Sequence, residues 1–123
     1  NNMRVETIKY ADYEGKERCE DFYFNLNKAE LAEMQLSGNG DMAKTLSEAI
    51  EKNDMPTLVK FLKTLVLKSY GVKSEDGRRF IKSEKLSEEF AQTEAYSELF
   101  YKLLSDGEHT TAFINQVIPN VSE

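Results

Sequence analysis

With 123 residues, 40% of them apolar and only two prolines, the sequence is large enough for one ordered domain, which we expect to span residues 1–123. Acidic residues outnumber basic residues by 22 to 16, and the resulting charge of −6 argues against nucleic acid or an anionic membrane surface as the partner. No apolar stretch approaches the roughly 20 residues that span a bilayer.

The start of the chain carries no charged and then apolar leader, and Asn1 and Asn2 before Met3 are typical of residues left by cloning. The single cysteine, Cys19, cannot form an internal disulfide, which fits a reducing cytoplasm. We therefore expect the protein to act in the compartment where it is made.

Residues 3–26 predict a β-hairpin, with a polar, glycine-containing turn at residues 13–16. In the second arm Phe22, Phe24 and Leu26 share one face, which predicts a sheet with one covered side. Cys19 falls on the other face of this strand, where we expect it to be a small apolar filler. The first arm is less regular and favours a β-bulge or a strand covered on both sides, because its β-forming residues occupy both parities: Val5, Thr7, Ile8 and Tyr10.

Residues 27–118 predict a bundle of about five helices packed on this hairpin, an α+β fold that is mostly α. Asn27 and Glu30 form a helix-start signature for a first helix that ends near Leu36, before the glycines of residues 37–40. Asp41 caps a second helix, and residues 53–56 end it and begin a third. The apolar positions of the second helix are Met42, Leu46, Ala49 and Ile50.

The third helix, residues 56–70, has apolar side chains on two faces, which predicts a central and well-buried helix. Gly71 is predicted to end it with a positive φ, and residues 72–79 to form the longest irregular connection. A long helix over residues 83–104 follows, and then a short one that begins after Asp106-Gly107 and is limited by Pro119. The long helix is expected to face the core with Leu86, Phe90, Tyr96, Leu99, Phe100, Leu103 and Leu104, and the short one with Phe113, Val117 and Ile118.

Catalytic and metal-binding residues are scarce. The one histidine, His109, lies beside a helix boundary, and we interpret it as a surface residue of the first helical turn rather than a general base. One histidine and one cysteine 90 positions apart leave too few ligands for a zinc or iron site. Acidic clusters such as Glu88-Glu89 and residues 17–21 are interpreted as solvated faces. We therefore predict no enzyme activity, no catalytic residues, no metal and no cofactor.

Residues 71–83 are the one predicted loop in which charges surround an aromatic side chain. One interpretation is structural: Phe80 and Ile81 attach the loop to the helices, while the arginines pair with Glu75 and Asp76. The other is that the loop binds a protein partner, because loops often carry function. The candidate partner-binding residues are Asp76, Gly77, Arg78, Arg79, Phe80 and Lys82.

Two further groups of side chains leave the same choice between packing and binding. Three methionines near predicted helix ends suit core filling, and also suit a surface that accepts varied apolar clients: Met34, Met42 and Met55. Aromatic residues of the hairpin would extend an open sheet edge to another copy if they are exposed: Tyr10, Tyr13 and Tyr23.

Residues 66–71 (VLKSYG), 74–83 (SEDGRRFIKS) and 90–99 (FAQTEAYSEL) resemble the tail assembly chaperones of long-tailed phages and prophages of Gram-positive bacteria. The segments 7–10 (TIKY) and 21–26 (DFYFNL) are similar to the same family, so the resemblance covers most of the chain. It is weakest over residues 38–54.

The resemblance implies a non-catalytic protein of the host bacterial cytoplasm that holds the long tape measure protein, recruits tail tube subunits and is absent from the mature virion. It also implies that a longer form can arise by ribosomal frameshifting, and self-association along the client is compatible with it. The alternative function is a small helical adaptor or regulator that binds one cellular partner.

Overall fold

The computed structural model describes residues 3–34 and 42–119. Within these ranges the chain forms a four-stranded antiparallel sheet and six helices, which confirms the predicted α+β, mostly helical class. The elements in chain order are β1 Arg4–Ala11, β2 Glu17–Phe24, α1 Lys28–Met34, α2 Met42–Glu51, α3 Met55–Ser69, β3 Tyr70–Lys73, β4 Phe80–Ile81, α4 Glu84–Ala91, α5 Glu94–Ser105 and α6 Gly107–Val117.

Strands β1 and β2 form the predicted hairpin. Its register runs without interruption from Arg4 opposite Phe24 to Ala11 opposite Glu17, and the second face of β1 is exposed. Both alternatives for the first arm, a β-bulge and a strand partly covered on both sides, are therefore wrong. The covered face of β1 carries Glu6 and Ile8, and the charged Glu6 is what made the alternation look irregular in the sequence. At the turn, Asp12 Oδ1 accepts hydrogen bonds from two backbone N–H groups, each at 2.9 Å.

The sheet continues beyond the hairpin in the order β1-β2-β3-β4. Helix α3 leads directly into β3, because Tyr70 is extended (φ −65°, ψ 140°) and pairs with Phe24. Gly71 therefore lies within a strand and has no positive φ, contrary to the prediction. The irregular connection predicted over residues 72–79 is shorter than expected, because residues 72–73 belong to β3 and only residues 74–79 form the turn of a second, short hairpin.

The long helix predicted over residues 83–104 is two helices, α4 and α5, separated at Gln92 and Thr93. The Thr93 hydroxyl accepts the N–H of Tyr96 at 3.2 Å and donates to the Phe90 carbonyl at 2.7 Å. A threonine side chain that caps the second helix and closes the first explains the break. Leu104, which was predicted to face the core, is 37% exposed.

Helix starts follow the local capping signals. The Asn27 side chain accepts the N–H of Glu30 at 2.8 Å, and Glu30 accepts the N–H of Asn27 at 3.0 Å, so the predicted reciprocal cap is confirmed. Asp54, Ser83 and Asp106 cap α3, α4 and α6. The predicted helix end near Leu36, the stop at residues 37–40 and the cap at Asp41 lie outside the described residues.

The core forms where the covered face of the sheet meets the helices. Phe24 and Phe113 are fully buried with ring centroids 5.4 Å apart, and Tyr70 stacks on Phe90 at 4.3 Å. Helix α3 is less enclosed than predicted. Its completely or almost completely buried side chains occupy one side only: Leu62, Leu65, Val66 and Ser69.

Candidate protein-binding site

The candidate loop predicted over residues 71–83 contains the end of β3 and all of β4, and its centre is the tight turn between them, residues 74–79. Ser74 Oγ donates to Asp76 Oδ1 at 2.7 Å and accepts the N–H of Arg79 at 3.0 Å. The N–H of Arg78 donates to the same Asp76 oxygen at 3.0 Å. The hydrogen bond from Ser74, and after it the one from the Arg78 N–H, lowers the pKa of Asp76. Gly77 supplies the positive φ of 73° that the turn requires.

Phe80 and Lys82 attach this turn to the rest of the protein. A Cβ atom on Gly71 would lie 2.8 Å from the ring of Phe80, so only glycine lets β4 approach β3 this closely. Lys82 Nζ donates to the Asn25 carbonyl at 2.6 Å and to Glu30 at 2.7 Å. Burial lowers the pKa of Lys82, and its head group holds the sheet to α1.

Arg78 and Arg79 are the two candidate residues whose side chains remain available to a partner. Both are exposed, and neither forms an ion pair with the residues described in the structure, so the predicted pairing with Glu75 and Asp76 is wrong. The Asp76 carboxylate is engaged with its own turn instead. The six predicted residues thus divide into four that build or attach the turn and two free cations.

His109 lies in the first turn of α6, as predicted, but it is not a simple surface residue. Its Nε2 atom lies 2.9 and 3.0 Å from the two carboxylate oxygens of Glu6, a side chain only 7% exposed. Arg4 Nε donates to the same carboxylate at 2.8 Å. A buried charge that is paired and hydrogen-bonded in this way joins β1 to α6 and is a structural link.

The other two candidates for chemistry were Cys19 and a metal site. Cys19 is exposed on the uncovered face of the sheet, which corrects its expected role as a filler. No group of three or more His, Cys, Asp or Glu side chains between residues 3–34 and 42–119 is arranged to hold a metal ion. Across the same two ranges, no helix combines the length and the apolar character needed to cross a bilayer.

The hairpin aromatics have three different environments. Tyr10 lies on the covered face and donates a short hydrogen bond to Glu20. Tyr23 lies under Lys73 Nζ, which is 4.6 Å from the ring centroid. Only Tyr13, which is 76% exposed in the turn, is as open as the edge-pairing hypothesis requires.

A groove that the sequence did not identify opens between the α2–α3 pair and the α5–α6 pair. We call it the interhelical groove, and its volume is about 460 Å³. None of its lining residues is charged: Leu46, Ile50, Met55, Leu58, Leu62, Leu103, Leu104, Gly107, Thr110, Thr111, Ile114 and Asn115.

Exposed apolar side chains concentrate at this groove. Seven large apolar or aromatic side chains are exposed among the described residues, and three of them line it: Ile50 (61%), Met55 (45%) and Leu104 (37%). Met34 and Met42, by contrast, are buried. The methionines therefore divide between core packing and the groove, and exposed apolar surface gathered in one place is typical of an interaction site.

Capping fixes the two helices that begin at the groove. The N–H of Thr57 donates to Asp54 at the start of α3, and the N–H of His109 donates to Asp106 at the start of α6. Hydrogen bonds from Thr57, first from its side chain and then from its backbone N–H, lower the pKa of Asp54. The hydrogen bond from the His109 N–H is the largest cause of the lowered pKa of Asp106. Ionised caps stabilise both N-termini and keep the groove walls in place.

Comparison with known proteins agrees with this picture of a binding protein. A family model described as phage tail assembly chaperone matches residues 3–121. No curated protein and no solved structure matches the chain significantly. Since the family model covers nearly the whole sequence, the chain belongs to the phage tail assembly chaperone family.

Proposed function

We propose that this protein binds the tape measure protein during phage tail assembly and presents it to tail tube subunits, without catalysis. The observation that carries the proposal is the interhelical groove, in which Ile50, Met55 and Leu104 are exposed together and no lining side chain is charged. A chaperone needs apolar surface of this kind because its clients expose apolar side chains before they assemble.

The charge of the chain supports a temporary complex. A net charge of −6 keeps a protein with an exposed apolar groove soluble and disfavours non-specific association. Binding through one small groove is weak enough for tail tube subunits to displace the chaperone, and several copies on one long client would gain avidity. We therefore place its action in the host bacterial cytoplasm, before the virion is complete, with self-association along the client.

Co-expression with the tape measure protein encoded by the same phage tests this function. We expect the client to move from the insoluble to the soluble fraction when the chaperone is present, and to elute with it in size-exclusion chromatography. A client that remains equally insoluble with and without the chaperone would show that the proposed function is wrong.

We also propose the β3–β4 turn as a second contact, through Arg78 and Arg79, with Asp76, Gly77, Phe80 and Lys82 holding its shape. The two exposed cations on an acidic protein suit an acidic patch on the client or on a tail tube subunit. Replacing both arginines with alanine should leave the free energy of unfolding within about 0.5 kcal/mol of the wild-type value. The double variant should also bind its partner more weakly than wild type does, with a larger loss of binding at low salt than at high salt. Unchanged binding at every salt concentration would exclude this contact.

A further inference from the structure

We infer that the interhelical groove binds a single amphipathic helix of the client whose apolar stripe is flanked by basic residues. The inference rests on the proposed function and specifies which part of the client is recognised. It follows from three features of the described residues: the shape of the groove, the charge beside it and the charge of the whole chain.

The shape suits one helix. The groove is bounded by helices on both sides, with Leu46 and Ile50 of α2 on one side and Leu104 and Ile114 of α5 and α6 on the other. A helix enters such a groove with apolar anchors at positions i, i+3, i+4 and i+7.

The lining itself excludes a charged or strongly polar ligand. Its polar members are threonine and asparagine side chains of α6. The Thr110 hydroxyl already donates its one proton to the Leu103 carbonyl, with the Asp106 carbonyl also within hydrogen-bonding distance. Thr111 likewise donates to the Gly107 carbonyl at 2.9 Å. A charge brought into the groove would lose water and would find few polar partners, with Asn115 the one lining amide, whereas an aliphatic stripe matches the lining.

Two exposed acidic residues are the sequence neighbours of residues that line the groove. Glu51 follows Ile50 at the end of α2, and Glu108 follows Gly107 at the start of α6; both are exposed, and neither forms an ion pair within the described parts of the chain. We call these two residues the acidic rim. Basic residues on the flanks of a bound helix would face it.

Two cations that are close to these residues in sequence do not cancel the acidic rim, because each acts on a capping aspartate. Lys102 Nζ lies 3.3 Å from Asp106. Lys52 contributes to the lowered pKa of Asp54, after the hydrogen bonds from Thr57. The charge left for a ligand at the groove is therefore negative.

The same charge argues against a second copy of this chain as the occupant. Two chains of charge −6 that meet at their acidic rims repel each other, and like charges across an interface disfavour that partner. A basic, amphipathic helix gains from the same field. The groove therefore selects the client over the chaperone itself.

Designed peptides provide the direct test. We would measure binding to the intact protein by fluorescence anisotropy with a helical peptide carrying leucine at i, i+3, i+4 and i+7 and lysines on its flanks. A peptide with glutamate flanks and a scrambled peptide of the same composition are the comparisons. We expect the lysine-flanked peptide to bind at least about tenfold more tightly than either, with a preference that shrinks as salt is added.

Variants on α5 locate the binding site. Leu104→Glu places a charge in the groove at an already exposed position, and should weaken binding of the lysine-flanked peptide at least about tenfold. Tyr101→Glu is the matched control, because Tyr101 is 72% exposed on the same helix and does not line the groove. Circular dichroism and thermal unfolding verify that both variants are folded.

Charge reversal tests the acidic rim. The double variant Glu51→Lys, Glu108→Lys should reverse the preference, so that the glutamate-flanked peptide binds more tightly than the lysine-flanked one. Equal binding of the two peptides to wild type would contradict the inference, and so would equal losses in Leu104→Glu and Tyr101→Glu.

Failure of the inference and failure of the proposed function are distinguishable. If wild type and Leu104→Glu keep the tape measure protein soluble equally well, the function stands and the groove is not its site. If wild type does not keep the client soluble, the proposed function fails, and the peptide measurements still decide whether the groove is a helix-binding site.

Discussion

The sheet side and the groove side of this small protein differ in how far their apolar side chains are buried. Against the sheet, Phe24 and Phe113 are completely buried, and Phe90 is 3% exposed beneath Tyr70. At the interhelical groove, Ile50 and Leu104 are left 61% and 37% exposed. The first arrangement stabilises the fold, and the second keeps apolar surface accessible to a partner, so the two regions should respond differently to the same kind of substitution.

The largest difference in the free energy of unfolding is expected between Phe24→Ala and Ile50→Ala. Removing the fully buried ring should lower the free energy of unfolding by about 3–5 kcal/mol, because it leaves a cavity among close-packed aromatic side chains. Ile50→Ala should change it by no more than about 0.5 kcal/mol, since the side chain is already in water. Chemical denaturation measures both, and similar losses would mean that the groove is part of the core.

Glu6→Ala should have the next largest effect and lower the free energy of unfolding by about 3 kcal/mol, because it removes the carboxylate that Arg4 and His109 share. Urea denaturation followed by circular dichroism provides the measurement. Glu17→Ala on the neighbouring strand is an exposed control and should be close to neutral. If Glu6→Ala leaves the free energy of unfolding unchanged, the link between β1 and α6 adds nothing to the stability of the sheet side.

Gly71→Ala should destabilise the protein by about 1–3 kcal/mol, since the new Cβ would lie 2.8 Å from Phe80 and 2.9 Å from the Ile81 carbonyl oxygen. Adding Phe80→Ala should recover part of the loss and no more, because the backbone contact remains. Gly107→Ala is the control, as nothing lies within 4 Å of that position. Full additivity of Gly71→Ala and Phe80→Ala would contradict the close approach of β3 and β4.

The smallest effect is expected in the pH dependence of stability that comes from the two capping aspartates at the groove, Asp54 and Asp106. The pKa values of Asp54 and Asp106 are lowered from the ordinary value of 3.8, so the unfolded chain takes up protons first as the pH falls. Their contribution to stability is present above about pH 4 and is lost as the pH falls through the folded-state pKa values. Asp54→Asn with Asp106→Asn keeps capping side chains and should make the acid-induced loss shallower in denaturation curves at pH 6 and pH 3. An unchanged pH dependence would mean that these caps are not ionised partners of the helix ends.

Local signals predicted the starts of elements well. Three helix starts depend on hydrogen bonds between residues only three positions apart, so the local sequence contains all the information they need. They are the reciprocal cap of Asn27 and Glu30, the start of α3 at Asp54 and the start of α4 at Ser83. The hairpin turn depends in the same way on neighbouring residues around Gly15. The predicted mostly helical α+β class followed from these elements.

Contacts between distant residues were not predictable in this way. Gly71 at the end of a helical pattern has the local appearance of a helix stop, and its true reason is the ring of Phe80 on the next strand. Apolar periodicity placed Leu104 toward the core because it cannot tell a covered stripe from an open one. The groove was missed for the same reason, since Leu46, Ile50 and Leu58 become one surface only when four helices are assembled. The structural role of Glu6 was missed because its contact with His109 joins residues at opposite ends of the chain.

The contacts around Glu6 also bring the first strand beside the last helix. Gln116 donates to the Met3 carbonyl at 3.0 Å and accepts from Arg4 at 3.2 Å, so Met3 lies close to the end of α6. A short linker from Pro119 to Met3 would therefore permit circular permutation, with new ends opened in the exposed turn between β1 and β2. Tyr13 of that turn is hydrogen-bonded to Glu94 at the start of α5, whereas the groove is lined by Leu103 and Leu104 at the end of the same helix. A fluorescent reporter fused at the new ends would therefore lie away from the interhelical groove.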